Sequence, residues 1–137
     1  MNDYKKPLPE IQPWSKAFWE GTREEKLLIQ ECLDCKSKIF YPRKHCPECW
    51  SSRLSWVEAS GKGKIFSYTI TQAGVEEPFS QDLPLILALV DLDENVRMMS
   101  NIIDCKPEDL SIGMDLEVVF QKVTDEITLP KWRPVHD

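Results

Sequence analysis

The chain has 137 residues, of which 42% are hydrophobic and 29% charged, and its 17 Lys and Arg against 23 Asp and Glu give a formal net charge of −6. This composition is that of an ordinary globular protein and excludes a disordered or fibrous chain. The longest apolar stretch, residues 83–90, is far shorter than the roughly 20 residues of a membrane-spanning helix. The first ten residues lack the apolar core of a secretory signal. We therefore expect a soluble, cytoplasmic protein.

Charge is unevenly distributed along the chain. Residues 32–64 carry seven basic and three acidic side chains, whereas the remainder carries ten basic and twenty acidic ones. The overall acidity disfavours binding to long nucleic acids, because neutralising their phosphates requires clustered Lys and Arg. A basic segment inside an acidic chain instead suits a small anionic ligand.

Residues 1–26 predict an extended arm followed by short helices. Prolines at three positions within residues 7–13 favour the arm, because proline fixes φ and removes a donor. Three aromatic side chains then fall roughly on one face of a short helix: Trp14, Phe18 and Trp19. Gly21 predicts the end of this helix, and residues 22–25 have the Thr-x-x-Glu spacing of a capping box, which predicts a second short helix.

The rest of the chain predicts a mainly β fold. Residues 27–58 contain short strands separated by cysteine pairs, and residues 59–137 contain longer ones. The predicted strands are 27–31, 38–42, 54–58, 63–73, 84–91, 95–103 and 115–123, with an edge or extended segment at 128–135. One helical turn is expected at 107–110. Five strands in about 70 residues are typical of a small closed or partly open β-barrel.

Cysteine spacing is the most specific signal in the chain. Cys32 and Cys35 are separated by two residues, as are Cys46 and Cys49. Two such pairs are the ligand pattern of a four-cysteine zinc ribbon, because each two-residue gap lets both thiolates reach one tetrahedral ion. The alternative of two disulfides is disfavoured, since no secretory signal is present and Cys105 is left unpaired. We interpret Cys105 as a small apolar residue beside the third barrel strand rather than a reactive thiol.

The predicted metal site is structural. Four thiolates close the coordination sphere of one zinc ion and leave no position for water or substrate. A rubredoxin-like iron site for electron transfer is the alternative, because four thiolates also bind iron. Neither a nucleophile with a neighbouring base nor a glycine-rich phosphate loop is visible in the sequence, so no catalytic residue is predicted.

The succession of motifs resembles the family known as domain of unknown function 35 (DUF35). The matching segments are Phe18-Trp19-Glu20-Gly21, the Cys32 and Cys35 pair, Phe40-Tyr41-Pro42-Arg43, Cys46-Pro47-x-Cys49, Trp56, Ser60-Gly61-x-Gly63, Ser67-Tyr68-Thr69, Ile112-Gly113-Met114 and 129–134. The resemblance implies a rubredoxin-like zinc ribbon at residues 27–58 joined to an acyl-CoA-associated OB-fold at 59–137. It further implies a non-catalytic subunit that pairs with a thiolase-type enzyme acting on acyl-CoA, including 3-ketoacyl-CoA, thioesters.

Three positions depart from the family pattern. Lys36 and Trp50 follow the two cysteine pairs where relatives often have Gly, and Asn95 lies in a hairpin turn where Gly is common. We expect left-handed backbone at these positions. It would cost about 1 kcal/mol or more at a non-Gly residue, but Asn tolerates this conformation better than most residues.

The implied function suggests two sets of surface residues. CoA carries phosphates and an adenine, so its binding site requires cations beside flat apolar faces. The candidates are Arg43, Lys44, Lys62, Lys64, Phe66, Tyr68 and Trp132. Candidate contacts with the partner subunit are Trp14, Phe18, Trp19 and Trp50, because aromatic residues are enriched at interfaces. A single-stranded nucleic-acid-binding OB-fold, which stacks bases on aromatic side chains, is the alternative function.

Overall fold

A computed structural model describes residue 6 and residues 8–73 and 84–135 of the chain. Within these ranges the fold is mainly β, as predicted, with one α-helix (α1, Lys16–Arg23) and a 3-10 turn at Pro107–Asp109. The strands are β1 (Leu28–Cys32), β2 (Lys38–Ile39), β3 (Leu54–Glu58), β4 (Lys62–Thr71), β5 (Leu85–Leu92), β6 (Arg97–Asn101), β7 (Asp115–Lys122) and β8 (Thr128–Pro134). No helix in the described ranges is long and apolar enough to cross a lipid bilayer.

The prediction of two short N-terminal helices is wrong, because α1 runs through Gly21 and ends at Arg23. A Cβ at Gly21 would lie 2.8 Å from Leu28 Cγ, so the glycine permits close packing of α1 on β1. Thr22 does not cap a second helix; its hydroxyl donates to Trp19 O at 2.9 Å. Glu25 has a left-handed φ of 60°, and the next N–H, of Lys26, donates back to Gly21 O at 2.9 Å. This arrangement is a Schellman helix end.

The ribbon is a three-stranded antiparallel sheet in the order β2-β1-β3. β1 pairs along its whole length with β3, from Leu28 opposite Glu58 to Cys32 opposite Leu54. The short β2 pairs with the other edge of β1. Cys32 is the last residue of β1 and the second cysteine pair precedes β3, so both pairs lie at one end of this sheet.

The barrel is a five-stranded antiparallel sheet in the order β6-β5-β4-β7-β8. Its two edge strands approach each other where Ile102 forms a parallel bridge with Trp132 of β8. The N–H of Ile103 donates to Trp132 O at 2.8 Å. The sheet is thus a nearly closed barrel, consistent with the predicted OB-fold.

Ribbon and barrel share one hydrophobic core. Leu27 and Ile29, at the base of the ribbon, are buried in the same cluster as Phe18 of α1 and the inward-facing barrel residues. The barrel members are Ile65, Ile86, Ala88, Val90, Leu92, Val96, Met98, Ile102, Leu110, Leu116 and Trp132. A second, small cluster at the far end of the ribbon contains Cys32, Ile39 and Cys46, with Leu54 packed against it.

Candidate metal centre and ligand surfaces

Each cysteine pair lies on a turn of the same backbone geometry. The N–H of Lys36 donates to Cys32 O at 2.9 Å, and the N–H of Trp50 donates to Cys46 O at the same distance. Lys36 and Trp50 have φ values of 66° and 64°, which confirms the left-handed backbone expected there. The equivalent turns aim both pairs of thiols at a common point.

The four thiols form one compact cluster. The sulfur atoms of Cys32, Cys35, Cys46 and Cys49 all lie within 4.8 Å of one another. Cys32 Sγ is 3.6 Å from Cys49 Sγ, and Cys35 Sγ is 3.5 Å from Cys46 Sγ. All are free thiols rather than disulfides. Backbone N–H groups also point at the sulfurs, from Cys35 to Cys32 Sγ at 3.4 Å and from Glu48 to Cys46 Sγ at 3.3 Å.

The electrostatics of the cluster fit a bound cation. Hydrogen bonds with the hydroxyl and backbone of Ser37 lower the pKa of Cys35 to about 6. The Ser51 N–H lowers the pKa of Cys49, but partial desolvation of its sulfur and hydrogen bonds with the three neighbouring thiols outweigh it and raise that pKa to about 12. Four thiolates this close therefore require a positive ion between them. The residues present form a four-sulfur metal site.

Packing around this site is sparse. Cys32 and Cys46 are fully buried, yet among the hydrophobic side chains that the structure describes only Ile39 and Leu54 pack with them. Cys35 and Cys49 are exposed. With all four ligands supplied by the chain, such a site holds structure together rather than activating water or substrate.

The cations predicted for CoA binding fall into two groups. On the barrel, Lys62 Nζ lies 3.8 Å from a Glu117 carboxylate oxygen, and Lys64 forms an ion pair with Asp115. At the ribbon, the side chain of Lys44 lies over the Trp14 ring, 4.6 Å from its centroid. Among the described residues, neither Lys44 nor the adjacent Arg43 has a carboxylate within ion-pair distance.

The aromatic side chains predicted for CoA binding do not form one surface. Phe66 is exposed, but the Arg97 guanidinium stacks over it at 3.5 Å from the ring centroid. Tyr68 is half-buried and its hydroxyl donates to Leu110 O at 3.4 Å. Trp132 is 0% exposed; the inclusion of Trp132 in a ligand surface is therefore wrong, because its side chain faces into the barrel core.

The four aromatic residues predicted for the partner interface differ in exposure. Phe18 is 4% exposed and lies in the core, so its assignment to an interface is wrong. Trp19 is half-buried and packs edge-on against Phe18, with ring centroids 4.9 Å apart. Trp14 is also half-buried, whereas Trp50 is 76% exposed at the metal end of the ribbon.

Two polar residues with structural roles were missed in the sequence. Gln30, buried on β1, donates from Nε2 to Arg43 O at 2.9 Å and accepts from Arg43 N–H at 2.8 Å. Its place directly after the apolar residues 27–29 and two residues before the metal ligand Cys32 is the signal that could have identified it. Tyr41 accepts a hydrogen bond from the N–H of Met99 at 2.9 Å, and no local pattern indicates this distant partner.

The fold and site define the class of this protein as a four-cysteine ribbon joined to a five-stranded OB-type barrel. Family models agree for both parts. Residues 19–55 match the ChsH2 rubredoxin-like zinc ribbon domain, and residues 56–121 match the ChsH2 C-terminal OB-fold domain. Together with the relatives below, these matches confirm that the chain belongs to the DUF35 family.

Relatives of similar length support this membership. The DUF35 domain-containing scaffold protein of Methanothermobacter thermautotrophicus is 39% identical over 97 residues, which cover 70% of this chain and 72% of that protein. The solved structure of an Ltp2-ChsH2(DUF35) aldolase matches with a TM-score of 0.83 and 31% identity. That match covers 93% of this chain and 98% of the solved one.

Two further relatives carry enzyme-subunit names. A probable enoyl-CoA hydratase alpha subunit of Thermomonospora curvata is 34% identical over 130 residues, or 94% of this chain. This chain spans only 40% of that protein's length. The benzoylsuccinyl-CoA thiolase subunit BbsA of Geobacter metallireducens is 31% identical over 103 residues, covering 72% of this chain and 66% of BbsA.

Proposed function

We propose that this chain is a non-catalytic, zinc-binding subunit of a complex in which a thiolase-type enzyme acts on acyl-CoA thioesters. The observation that carries the proposal is the match, over 93% of this chain and 98% of the other, to the DUF35 chain of an aldolase. A relative named as a thiolase subunit supports this class of partner, and one named as a hydratase subunit supports, more broadly, a partner that acts on CoA thioesters. The chain would stabilise the complex and contribute to CoA binding.

Zinc is the metal proposed for the four-thiol site. Cys32, Cys35, Cys46 and Cys49 would hold it, and the bound ion would supply the ribbon's missing core. The small apolar cluster at that end, in which two of three buried members are ligands, supports a structural role. Metal analysis of the purified protein tests the identity: about one zinc per chain in a colourless protein is expected, whereas a red, iron-containing protein would support the electron-transfer alternative.

The partner surface is proposed to include Trp50 and the groove beside Trp19. Trp50 is the most exposed large apolar side chain at the metal end of the ribbon. The groove, about 400 Å³ in volume, is lined by Trp19 of α1, Tyr41 of the ribbon and Met99 and Leu129 of the two barrel edges. Apolar surfaces of this kind are characteristic of subunit interfaces rather than of free surface.

Co-expression with the thiolase-type protein from a neighbouring gene tests the proposal. The two chains should co-purify, and the complex should turn over a 3-ketoacyl-CoA. This chain alone should show no thiolytic activity, because no nucleophile paired with a base is found among its described residues. Failure to co-purify, or turnover by the isolated chain after exhaustive purification, would contradict the proposed function.

A further inference from the structure

We propose that the cleft between α1 and the ribbon binds the nucleotide end of CoA, an adenine nucleotide bearing a 3′-phosphate. The inference rests on the proposed function, since it assigns a place to the ligand of that complex. The cleft measures about 340 Å³, and its lining includes Trp14, Gln30, Arg43, Lys44, Leu54 and Trp56. This volume is at the lower end of small-molecule sites, so the cleft accommodates one end of a ligand rather than the whole.

The basic side chains at this cleft are free to bind phosphate, whereas the candidate basic side chains on the barrel are paired with carboxylates. Arg43 and Lys44 are adjacent and exposed, and neither has a carboxylate within 4.0 Å among the residues that the structure describes. On β4, by contrast, Lys62 and Lys64 are paired with carboxylates of β7. A bisphosphate would therefore gain two uncompensated cations at the cleft, and an Arg fork suits phosphate oxygens.

Flat apolar faces for a base lie beside these cations. Trp14 and Trp56 line the same cleft, and the Lys44 ammonium lies over the Trp14 ring at 4.6 Å from its centroid. Indole rings stack on nucleobases without regard to sequence. Cations and aromatic faces together therefore match an adenine nucleotide better than inorganic phosphate or an apolar chain.

The backbone of Arg43 is also held in place before any ligand arrives. The buried side-chain amide of Gln30 makes both a donating and an accepting hydrogen bond with the Arg43 backbone, at 2.9 and 2.8 Å. Gln30 lies opposite Trp56 in the β1–β3 pair. One buried side chain thus fixes the basic segment relative to an aromatic wall of the cleft, and such preorganisation lowers the entropic cost of binding.

Titration of the full chain with adenosine 3′,5′-bisphosphate by calorimetry tests the inference. We expect saturable binding at one site. The double variant Arg43→Ala/Lys44→Ala should weaken it by about tenfold or more, because two charge-assisted contacts are lost. The matched control Lys62→Ala/Lys64→Ala changes the net charge by the same amount and should alter the affinity by less than about twofold, as screened surface charges do. Adenosine without phosphates should bind far more weakly.

Three results would overturn the inference. The first is that the wild-type chain does not bind the bisphosphate, and the second is that the two double variants lose affinity for it equally. The third is that a single-stranded oligonucleotide binds more tightly than the bisphosphate, which would favour the nucleic-acid alternative. Co-purification with the thiolase-type partner is measured separately on the same proteins. If the partner is retained while the bisphosphate is not bound at the cleft, the inference fails, whereas the proposed role as a subunit of the complex stands.

Discussion

The hydroxyl of Tyr41 accepts a hydrogen bond from the backbone N–H of Met99 at 2.9 Å. Tyr41 follows β2 in the ribbon, and Met99 belongs to β6, an edge strand of the barrel. The bond joins the ribbon directly to an edge strand of the barrel. It also satisfies an edge N–H that could otherwise pair with a strand of another chain.

Tyr41→Phe should expose this edge. We expect faster hydrogen exchange at the Met99 amide and a loss of about 1 kcal/mol in the free energy of unfolding, the usual contribution of one hydrogen bond. Tyr68→Phe is the control, because its hydroxyl makes only a 3.4 Å contact, with Leu110 O. Unchanged exchange at Met99 in the first variant would show that the bond does not protect the strand.

Loss of one thiol should unfold the metal end of the ribbon and leave the barrel. Cys46→Ser removes a buried ligand from a cluster that has almost no other core, whereas Leu27 and Ile29 at the ribbon base pack in the main core. Metal content should fall, and NMR signals of residues 33–53 should collapse while barrel signals persist. Cys105→Ser, at a half-buried thiol outside the cluster, should retain the metal. A native ribbon spectrum without metal would contradict a structural role.

Lys36→Gly should stabilise the protein. Lys36 has a φ of 66°, where a side chain costs about 1–2 kcal/mol relative to glycine. Part of this gain is lost to the greater freedom of glycine in the unfolded chain, so thermal unfolding should shift upward modestly. Lys106→Gly, the same change at an exposed position with a φ of −91°, should instead lower the unfolding temperature. Similar shifts in both variants would rule out relief of backbone strain.

Variants of Trp132 should show how much its buried side chain stabilises the barrel core. Trp132→Ala should cost about 3–5 kcal/mol, as large-to-small changes in a core do, because the side chain is fully buried. Trp132→Phe should cost clearly less, since it keeps much of the ring and removes a buried Nε1–H that has no hydrogen-bond partner among the described residues. Denaturant unfolding measures both. Equal losses of unfolding free energy in the two variants would indicate that the indole N–H has a hydrogen-bond partner in solution.

Trp50→Ala should separate partner binding from stability. The exposed side chain contributes little to the fold, and a change within about 0.5 kcal/mol in the free energy of unfolding is expected. Co-purification with the thiolase-type subunit should nevertheless weaken. Trp19→Ala serves as the comparison, because Trp19 contacts Phe18 in the core and should lose both stability and binding. Wild-type retention of the partner by both variants would place the interface elsewhere.

Local patterns in the sequence predicted the strands and the metal cluster but not every side chain's environment. Cysteine spacing encodes the ligand set directly, because each pair lies within one turn. Alternation along β8 cannot distinguish a core-facing Trp132 from a surface one, since closure with Ile102 brings together residues distant in sequence. The sequence pattern predicts a helix end at Gly21, although the lack of a Cβ there instead permits the close contact with Leu28. A glycine required for packing and one required for a turn look the same in a single sequence.

The location of Leu27 and Ile29 in the main core bears on how the chain tolerates being divided. Dividing the chain between Glu58 and Lys62, the end of β3 and the start of β4, would expose core-forming apolar side chains to solvent on each fragment. Excised halves should therefore aggregate or reassociate rather than persist as separate soluble modules. The same shared packing fixes the ribbon relative to the barrel. A partner that binds the barrel therefore also sets the orientation of the metal end of the ribbon.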